Sequence, residues 1–300
     1  LLVLCGNVAK AQSDLTFNKG IRYSQWVIDS RLGDFYGNKR SYGFTTYNND
    51  LSVKKEKTTW IDTNGTSKYS IKVDYVAGLV AKATIEAAEY YKNFDWSKPW
   101  FKSVEWYGNK CTVPTSPDNL DAINASKMYF GIYNLATGAF SGNDESKTIS
   151  TATTQLGNAL SALKHYNKTH VFAAGTTLNS KDIAGGWFHK ESYKNQMWLD
   201  GQYMGPATLA QLINEYSSYS SNKLSDNDWD LITKQFTIVW EQCWDSNEKL
   251  LNHAFSSEKL SYWTSDPDIW DTAKTDKTKW TSMKAAGHST AFWGRAEGWY

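Results

Sequence analysis

The sequence has little cysteine and little proline, and after its first residues it lacks an apolar run long enough to cross a bilayer. Its 300 residues include 3 Cys and 5 Pro, which excludes a disulfide-stapled miniprotein and a collagen-like chain. Cys5 lies in an N-terminal stretch that is interpreted below as the end of an export signal. Cys111 and Cys243 therefore remain after its removal. One disulfide between these two and two free, buried thiols are both compatible with the sequence. A cysteine-based metal site is excluded, because two thiols do not make the usual ligand set.

An excess of charge of either sign is also missing. The chain has 32 Lys+Arg against 31 Asp+Glu and a net charge of +1, so no overall basic field is available to hold a phosphate backbone or an anionic membrane. We therefore do not expect nucleic acid as a partner. With 41% hydrophobic and 21% charged residues, the composition predicts a globular protein with one large domain or two ordinary ones.

Aromatic residues are abundant, with 15 Trp and 18 Tyr. A flat ring with a polar edge suits the C–H face of a sugar, whose hydroxyls can bond to neighbouring carboxylates and amides. The same rings also serve as ordinary core and helix-contact residues. Composition alone leaves both interpretations open.

The N-terminus has the features of a processed segment. Residues 1–4 are apolar, and Ala9-Lys10-Ala11 has the small-x-small form of a signal-peptidase site. We interpret residues 1–11 as the end of an export signal, which predicts a periplasmic or secreted protein. Residues 12–69 form a polar, irregular segment with one weak helical stretch near 17–31.

Apolar residues at three- and four-residue spacing predict helices over about 71–93, 122–135, 149–163, 202–219 and 226–244. No period-two alternation of useful length interrupts them, so we expect a mostly α chain. The long connections at 107–120, 169–200 and 246–299 are rich in Gly, Trp, His and Asp. Function is expected on such loops when a rigid helical scaffold carries them.

The candidate chemical residues lie in these connections, and each taken singly has an ordinary structural explanation. Asp121 and Asp200 stand just before helical patterns, where an Asp is more often a helix N-cap than a catalyst. His189 and His253 could be a core and a loop histidine, and Arg295 could be an ion-pair partner. The order of the motifs around them is more informative.

Together these motifs resemble glycoside hydrolase family 105, the unsaturated rhamnogalacturonyl hydrolases, which is related to the family 88 unsaturated glucuronyl hydrolases. The resemblance spans about 70–300 and rests on motifs in the family's order. The less close match is residues 74–78 (DYVAG). The others are residues 121–124 (DAIN), 187–190 (WFHK), 197–206 (MWLDGQYMGP), 252–253 (NH) and 292–299 (FWGRAEGW).

The resemblance implies an all-α fold, an (α/α)6 toroid of the six-hairpin type, with neither metal nor cofactor. It implies Asp200 as general acid/base and Asp121 as its carboxylate partner. The residues that it places in the substrate pocket are Tyr75, His189, Trp198, His253, Trp293, Arg295 and Trp299. The implied substrate is a lyase-generated oligosaccharide of the rhamnogalacturonan or pectin type that ends in a 4,5-unsaturated uronic acid.

That substrate needs a residue that holds a proton near neutral pH, because its C4=C5–O unit is an enol ether. A proton delivered to C4 puts cationic character on C5 and the ring oxygen, water adds at C5, and the resulting hemiketal opens. We expect Asp121 and the tryptophans to disfavour ionisation of Asp200, and so to raise the pKa of Asp200. Arg295 is expected to bind a carboxylate or hydroxyls through its planar fork.

Two features depart from the family pattern. The chain stops directly after the last matched motif, so we expect the C-terminal part of the toroid to be missing. The stretch from Asp121 to His189 is longer than usual, with residues 167–182 as the expected surplus, and an extra loop there could alter the substrate range. The alternatives are an unsaturated glucuronyl hydrolase that acts on other lyase products, and an inactive sugar-binding homologue. The sequence does not set the oligomeric state.

Overall fold

A computed structural model of the chain describes residues 23, 27–28, 32, 44–55, 60–61, 67–68, 75–140, 145–258, 287–289 and 292–300. The predicted end of the export signal at 1–11 lies outside these residues, as does most of the weak helical stretch near 17–31. Asp74 of the less close motif also lies outside them.

Helices make up most of the described residues, which confirms the prediction of a mostly α chain. Short 3-10 segments accompany them at Asp95–Ser97, Ala125–Lys127 and Glu191–Tyr193. The α-helices are α1 Tyr75–Tyr90, α2 Lys98–Gly108, α3 Asp121–Asn124, α4 Met128–Thr137, α5 Glu145–Thr169, α6 Leu199–Met204, α7 Pro206–Glu215, α8 Tyr219–Asn222, α9 Asp228–Cys243 and α10 Gly294–Glu297.

The strands of the described part are two or three residues long and pair antiparallel, two to a sheet. The pairs are β1 Thr46–Tyr47 with β2 Val53–Lys55, β3 Trp60–Ile61 with β4 Ser67–Lys68, β5 Thr177–Leu178 with β6 Lys181–Asp182, β7 Gln196–Trp198 with β10 Ala254–Ser256, and β8 Trp244–Asp245 with β9 Leu250–Leu251. The pair β7 and β10 joins segments that are distant in sequence.

The predicted helix over 202–219 is divided into three shorter helices, α6, α7 and α8. The first break comes at Gly205 and Pro206, because proline has no N–H to continue the helix and is favoured at the first position of the next one. A Cβ at Gly205 would lie 3.1 Å from Leu120 and Trp187 atoms. The break therefore also allows a close packing contact.

Helix α2 was not predicted from the sequence. Pro99 stands at its start, and the buried Trp100, Phe101, Val104 and Tyr107 give it an apolar face rich in rings. Aromatic residues have only moderate helix propensity, so the periodicity is the one signal that could have identified this helix.

The chain divides into two compact units. Unit 1 comprises Leu1–Lys72, Leu79–Cys111 and Gly131–Thr151, and unit 2 comprises Val73–Gly78, Thr112–Phe130 and Ala152–Tyr300. Within unit 1, α2 packs against β1, and the Phe44 and Tyr107 ring centroids lie 4.6 Å apart. The buried Glu105 carboxylate accepts a hydrogen bond from the Thr148 hydroxyl.

Unit 2 contains an apolar core that links the loops of the chain to its helices. These residues come from the loop after α5, from β7, β9 and β10, and from α6, α9 and α10. They are Phe172, Leu178, Ile183, Phe188, Met197, Leu199, Ile238, Val239, Cys243, Leu251, Phe255 and Ala296. The long connections predicted to carry function are therefore held by their own hydrophobic core.

Cys111 and Cys243 are both buried, and no disulfide joins them. Of the two possibilities that the sequence left open, the structure has the two buried thiols. None of the described helices combines the length and the apolar character needed to span a membrane.

The unit 2 core gives a test of which contacts stabilise the candidate loops. Phe255 is fully buried on β10, whereas Leu250 on β9 is 42% exposed. We expect Phe255→Ala to lower the free energy of unfolding by about 3–5 kcal/mol, because it removes a buried ring and leaves a cavity. Leu250→Ala is the control and should cost much less. Urea denaturation of both variants measures this, and equal losses would contradict the described core.

Candidate active site

Strand pairing brings Asp200 and His253 together. Strand β7 leads directly into α6, whose second residue is Asp200. Strand β10 pairs with β7 with Ala254 opposite Trp198, and the Leu199 N–H donates to the His253 carbonyl at 3.0 Å. These backbone contacts place His253, the residue before β10, beside Asp200 near the start of α6.

The Asp200 carboxylate is buried, and each of its oxygens faces a basic side chain. Oδ2 lies 2.6 Å from Nε2 of His253, and Oδ1 lies 3.5 Å from Nη2 of Arg295. The His253 ring meets Trp198 edge-on at 4.8 Å between centroids, and it lies nearly parallel to Trp293 at 5.9 Å. The acid is thus held in a fixed orientation between a histidine, a guanidinium and aromatic rings.

The structure contradicts the prediction that the pKa of Asp200 is raised. Burial raises the pKa of this carboxyl, but the hydrogen bond and charge of His253 and the charges of His189 and Arg295 lower it by more. The net result is a pKa below the ordinary value of 3.8. Asp121 is not among the groups that shift the pKa of Asp200, and its own carboxylate faces His189 and Lys190.

Asp121 is the first residue of α3, and its side chain does not cap that helix. The Ala122 amide donates instead to Oδ1 of the Asn119 side chain, at 2.9 Å. The Asp121 carboxylate faces Nζ of Lys190 at 2.7 Å and Nε2 of His189 at 3.3 Å. Burial raises the pKa of Asp121, but the hydrogen bonds and charges of His189 and Lys190 lower it to about 2.

His189 is a buried residue that interacts with both aspartates. Its amide donates to the Gln196 carbonyl at 3.0 Å, and its carbonyl accepts from the Leu120 amide at 3.0 Å and the Tyr166 hydroxyl at 3.3 Å. A Cβ added at Gly201 would lie 3.0 Å from Nδ1 of His189, so α6 can approach the ring this closely only with glycine there. His189 thus connects the beginning of β7 to the beginning of α3.

Arg295 lies in a cage of aromatic rings. Its guanidinium carbon is 5.7 Å from the Tyr75 centroid, 5.5 Å from that of Trp293 and 5.1 Å from that of Trp299. The Tyr75 and Trp299 rings meet edge-on, with centroids 5.9 Å apart. The Arg295 side chain is 47% exposed, so the guanidinium is free to meet a solute while the rings restrict its direction.

Helix α10 carries Arg295 and is only four residues long, so its position depends on tertiary anchors. Ala296 is fully buried in the unit 2 core. The Glu297 carboxylate accepts the Leu251 amide at 2.8 Å, and the Tyr300 hydroxyl donates to the Phe236 carbonyl at 2.9 Å. The arginine is therefore supported on β9 and α9 as well as by the core.

The structure brings together all of the site residues predicted from the sequence, and all of them lie in unit 2. Each contacts at least one other member, and the two aspartates are connected through the His189–Trp198 and Trp198–His253 ring contacts. The set is Tyr75, Asp121, His189, Trp198, Asp200, His253, Trp293, Arg295 and Trp299. Their roles remain predictions.

The sequence prediction missed three contributors to this site. Lys190 binds Asp121, and its position beside His189 in one motif was the available signal. Tyr203 stacks on Trp299 at 5.6 Å between centroids. The buried Lys127 donates to the Tyr203 carbonyl and lies over its ring. Nothing in the spacing of Lys127 and Tyr203 indicated that they meet.

Within the described ranges, no three or more His, Cys, Asp and Glu side chains are grouped so as to hold a metal ion. The arrangement can hold a carboxylic acid in a fixed position, bind an anion through Arg295 and pack rings against an apolar face.

Comparison with known proteins agrees with the motifs. The family model described as Glycosyl Hydrolase Family 88 matches residues 47–300. A solved glycoside hydrolase of family 105 from C. acetobutylicum is similar to this chain, with 20% identity, a TM-score of 0.49 and coverage of 77% of this chain and 52% of that one. This chain thus spans about half the length of that structure. The match to the family model confirms the predicted relationship to family 88, and the helices of the described residues agree with the predicted all-α fold class.

The ion pairs of Asp121 predict a pH-dependent stability. The pKa of Asp121 is about 2 in the folded protein against an ordinary 3.8, so its ionised form contributes stability above about pH 4 that is lost as the pH falls through 2. A difference of about two pKa units corresponds to about 2–3 kcal/mol. We therefore expect Asp121→Asn to destabilise the protein at pH 5, and this penalty to shrink toward pH 2.

Urea denaturation at a series of pH values checks this expectation. Asp95→Asn is the matched control, because Asp95 is 88% exposed in its pair with Lys98 and such pairs contribute little. A penalty for Asp121→Asn that stays constant from pH 5 to pH 2 would contradict the ion-pair assignment.

Proposed function

Because the chain belongs to glycosyl hydrolase family 88, we propose that it removes the 4,5-unsaturated uronic acid from the non-reducing end of lyase-generated oligosaccharides of the rhamnogalacturonan or pectin type. The observation that carries the proposal is the buried Asp200 carboxylate, held between His253 and a half-exposed Arg295. Export of the protein, which residues 1–11 predict, belongs to the same proposal.

The substrate can be opened by a single acid/base residue. Asp200 gives a proton to C4, C5 becomes cationic with help from the ring oxygen, and water adds to C5 while its proton returns to Asp200. The resulting hemiketal opens and releases the rest of the saccharide. This sequence needs no second carboxylate at the anomeric carbon, unlike the usual glycosidase mechanism.

Asp200 must be protonated at the moment of reaction, although its pKa is lowered in the free site. A substrate carboxylate bound to Arg295 would compensate the guanidinium charge and add a negative charge beside Asp200. Both changes raise the pKa of Asp200 and favour its protonation. Binding of the anionic sugar therefore favours the protonated form of Asp200, which then donates its proton to C4.

Asp121 has a different role in this proposal. Lys190 and His189 keep its carboxylate ionised and fixed in position. A fixed carboxylate is a strong acceptor for sugar hydroxyls, and its two partners restrict the direction from which a hydroxyl approaches. We assign it to substrate orientation. The aromatic rings Trp293 and Trp299 provide apolar surface for the sugar face.

The Asp200→Asn variant tests the acid/base assignment. The amide keeps the shape of the side chain but has no transferable proton, so turnover should fall by about 10²–10⁴-fold. Loss of the ultraviolet absorbance of the conjugated C4=C5 unit measures hydration directly. Asp182→Asn, at an exposed pair with Lys234, is the matched control and should keep full activity.

The substrates for this assay are disaccharides made by a rhamnogalacturonan lyase and by lyases acting on glucuronic-acid polysaccharides. Preference for the second group would identify an unsaturated glucuronyl hydrolase instead. Binding of a disaccharide without loss of absorbance would indicate an inactive sugar-binding homologue. An Asp200→Asn variant that keeps more than a tenth of the wild-type rate removes Asp200 from the mechanism.

Arg295→Lys tests how the substrate anion is bound. Lysine keeps the charge but loses the planar fork, so we expect KM to rise by about ten- to a hundredfold, since a hydrogen bond to a charged group contributes about 1.5–3 kcal/mol. The control is Lys181→Arg at an exposed pair with Glu241, for which KM should not change. An unchanged KM in Arg295→Lys would show that another residue binds the carboxylate.

A further inference from the structure

We propose that His253 holds the proton that Asp200 delivers to the substrate, so that the two side chains work as one proton-carrying pair. This inference rests on the proposed function for the chemical step, and on the geometry of the pair for the assignment. His253 then acts through Asp200 and does not itself touch the reacting carbon.

The contact between the two side chains is short and shielded. Nε2 of His253 lies 2.6 Å from Oδ2 of Asp200, and both residues are less than 10% exposed. The strand pairing fixes both backbones, with the Leu199 amide bonded to the His253 carbonyl. Trp198 and Trp293 cover two sides of the imidazole. A proton can therefore pass between the two groups without exchange through bulk water.

The transfer is balanced in protons and electrons. The proton on Nε2 moves to the Asp200 carboxylate, and rotation of the new O–H about its C–O bond turns it from the imidazole toward the sugar. The C4=C5 electron pair takes this proton and forms the C4–H bond. Water then forms the C5–O bond, and the proton that it loses returns through Asp200 to Nε2. The net change is addition of one water to the double bond.

Other charged groups around the pair influence how this proton is shared. Arg295 faces Asp200 and His189 acts on it electrostatically, and both favour its ionised form. Glu297, on the same short helix as Arg295, interacts electrostatically with His253. Because Asp200 is held in its ionised form, the proposal places the shared proton on His253 before the substrate binds. Neutralisation of Arg295 by a bound sugar carboxylate shifts it toward Asp200.

The pH profile of kcat/KM for His253→Gln tests the proposal. If the pair shares one proton, the alkaline limb of the wild type reports loss of that proton from the pair. Glutamine holds Asp200 but carries no proton, so the limb should move by at least about one pH unit toward acid, where Asp200 alone titrates. His165→Gln, outside the site, is the matched control and should keep the wild-type profile.

The competing explanation predicts the opposite direction. If His253 is only a positive neighbour that lowers the pKa of Asp200, its removal raises that pKa and moves the alkaline limb to higher pH. A shift to higher pH, or a loss of rate by the same factor at every pH, would overturn the proposal.

A second measurement needs no substrate and no His253 variant. In ¹⁵N NMR of the full protein, the imidazole of His253 should keep its proton to higher pH in the wild type than in Asp200→Asn, because the variant lacks the anion. Identical titrations would overturn the shared proton. If the titrations differ but the wild type hydrates none of the disaccharides, the proposed function fails while the electrostatic coupling of His253 with Asp200 stands.

Discussion

The antiparallel pairing of β7 with β10 determines where the chemical groups of this protein lie. It joins two segments that are far apart in sequence, and its register sets Met197 and Phe255 opposite each other in the core of unit 2. The same register brings His253 beside the start of α6 and so beside Asp200. A slip of one residue would turn every side chain of one strand to the other face. The burial of Met197 and Phe255 therefore fixes the register, and with it the position of the Asp200 carboxylate.

Each of the two aspartates contacts one histidine and one arginine or lysine side chain. His253 and Arg295 face Asp200, whereas His189 and Lys190 face Asp121. Burial by itself would favour the neutral carboxyl in both cases, and the partners reverse this preference. The site thus contains two carboxylate anions, each with its own basic partners, instead of two carboxyls that share a proton. Any ligand that displaces one of these cations changes the protonation of its aspartate.

The sequence was most informative about the long helices and about which residues form the candidate active site. The apolar periodicity of α5 and α9 predicted both helices, because their buried faces follow the helical repeat. The motifs identified the members of the site but not its electrostatics. The pKa of Asp200 was predicted in the wrong direction because His253 and Arg295, which lower it, come from distant segments whose contacts with Asp200 depend on the tertiary fold. The contact of Lys127 with Tyr203 joins elements 76 residues apart, and no local pattern encodes it.

The anchoring of α10 has a consequence for how activity and folding are related. Asp200 and His253 are separated by 53 positions, and Asp200 and Arg295 by 95. A four-residue helix has no stability of its own, so Arg295 reaches Asp200 only when β9, α9 and the core that hold α10 are already in place. The Asp200–Arg295 contact thus depends on packing that lies outside α10 itself. The contact between Arg295 and Asp200 consequently depends on the tertiary packing of unit 2 and not on the helix content of the chain.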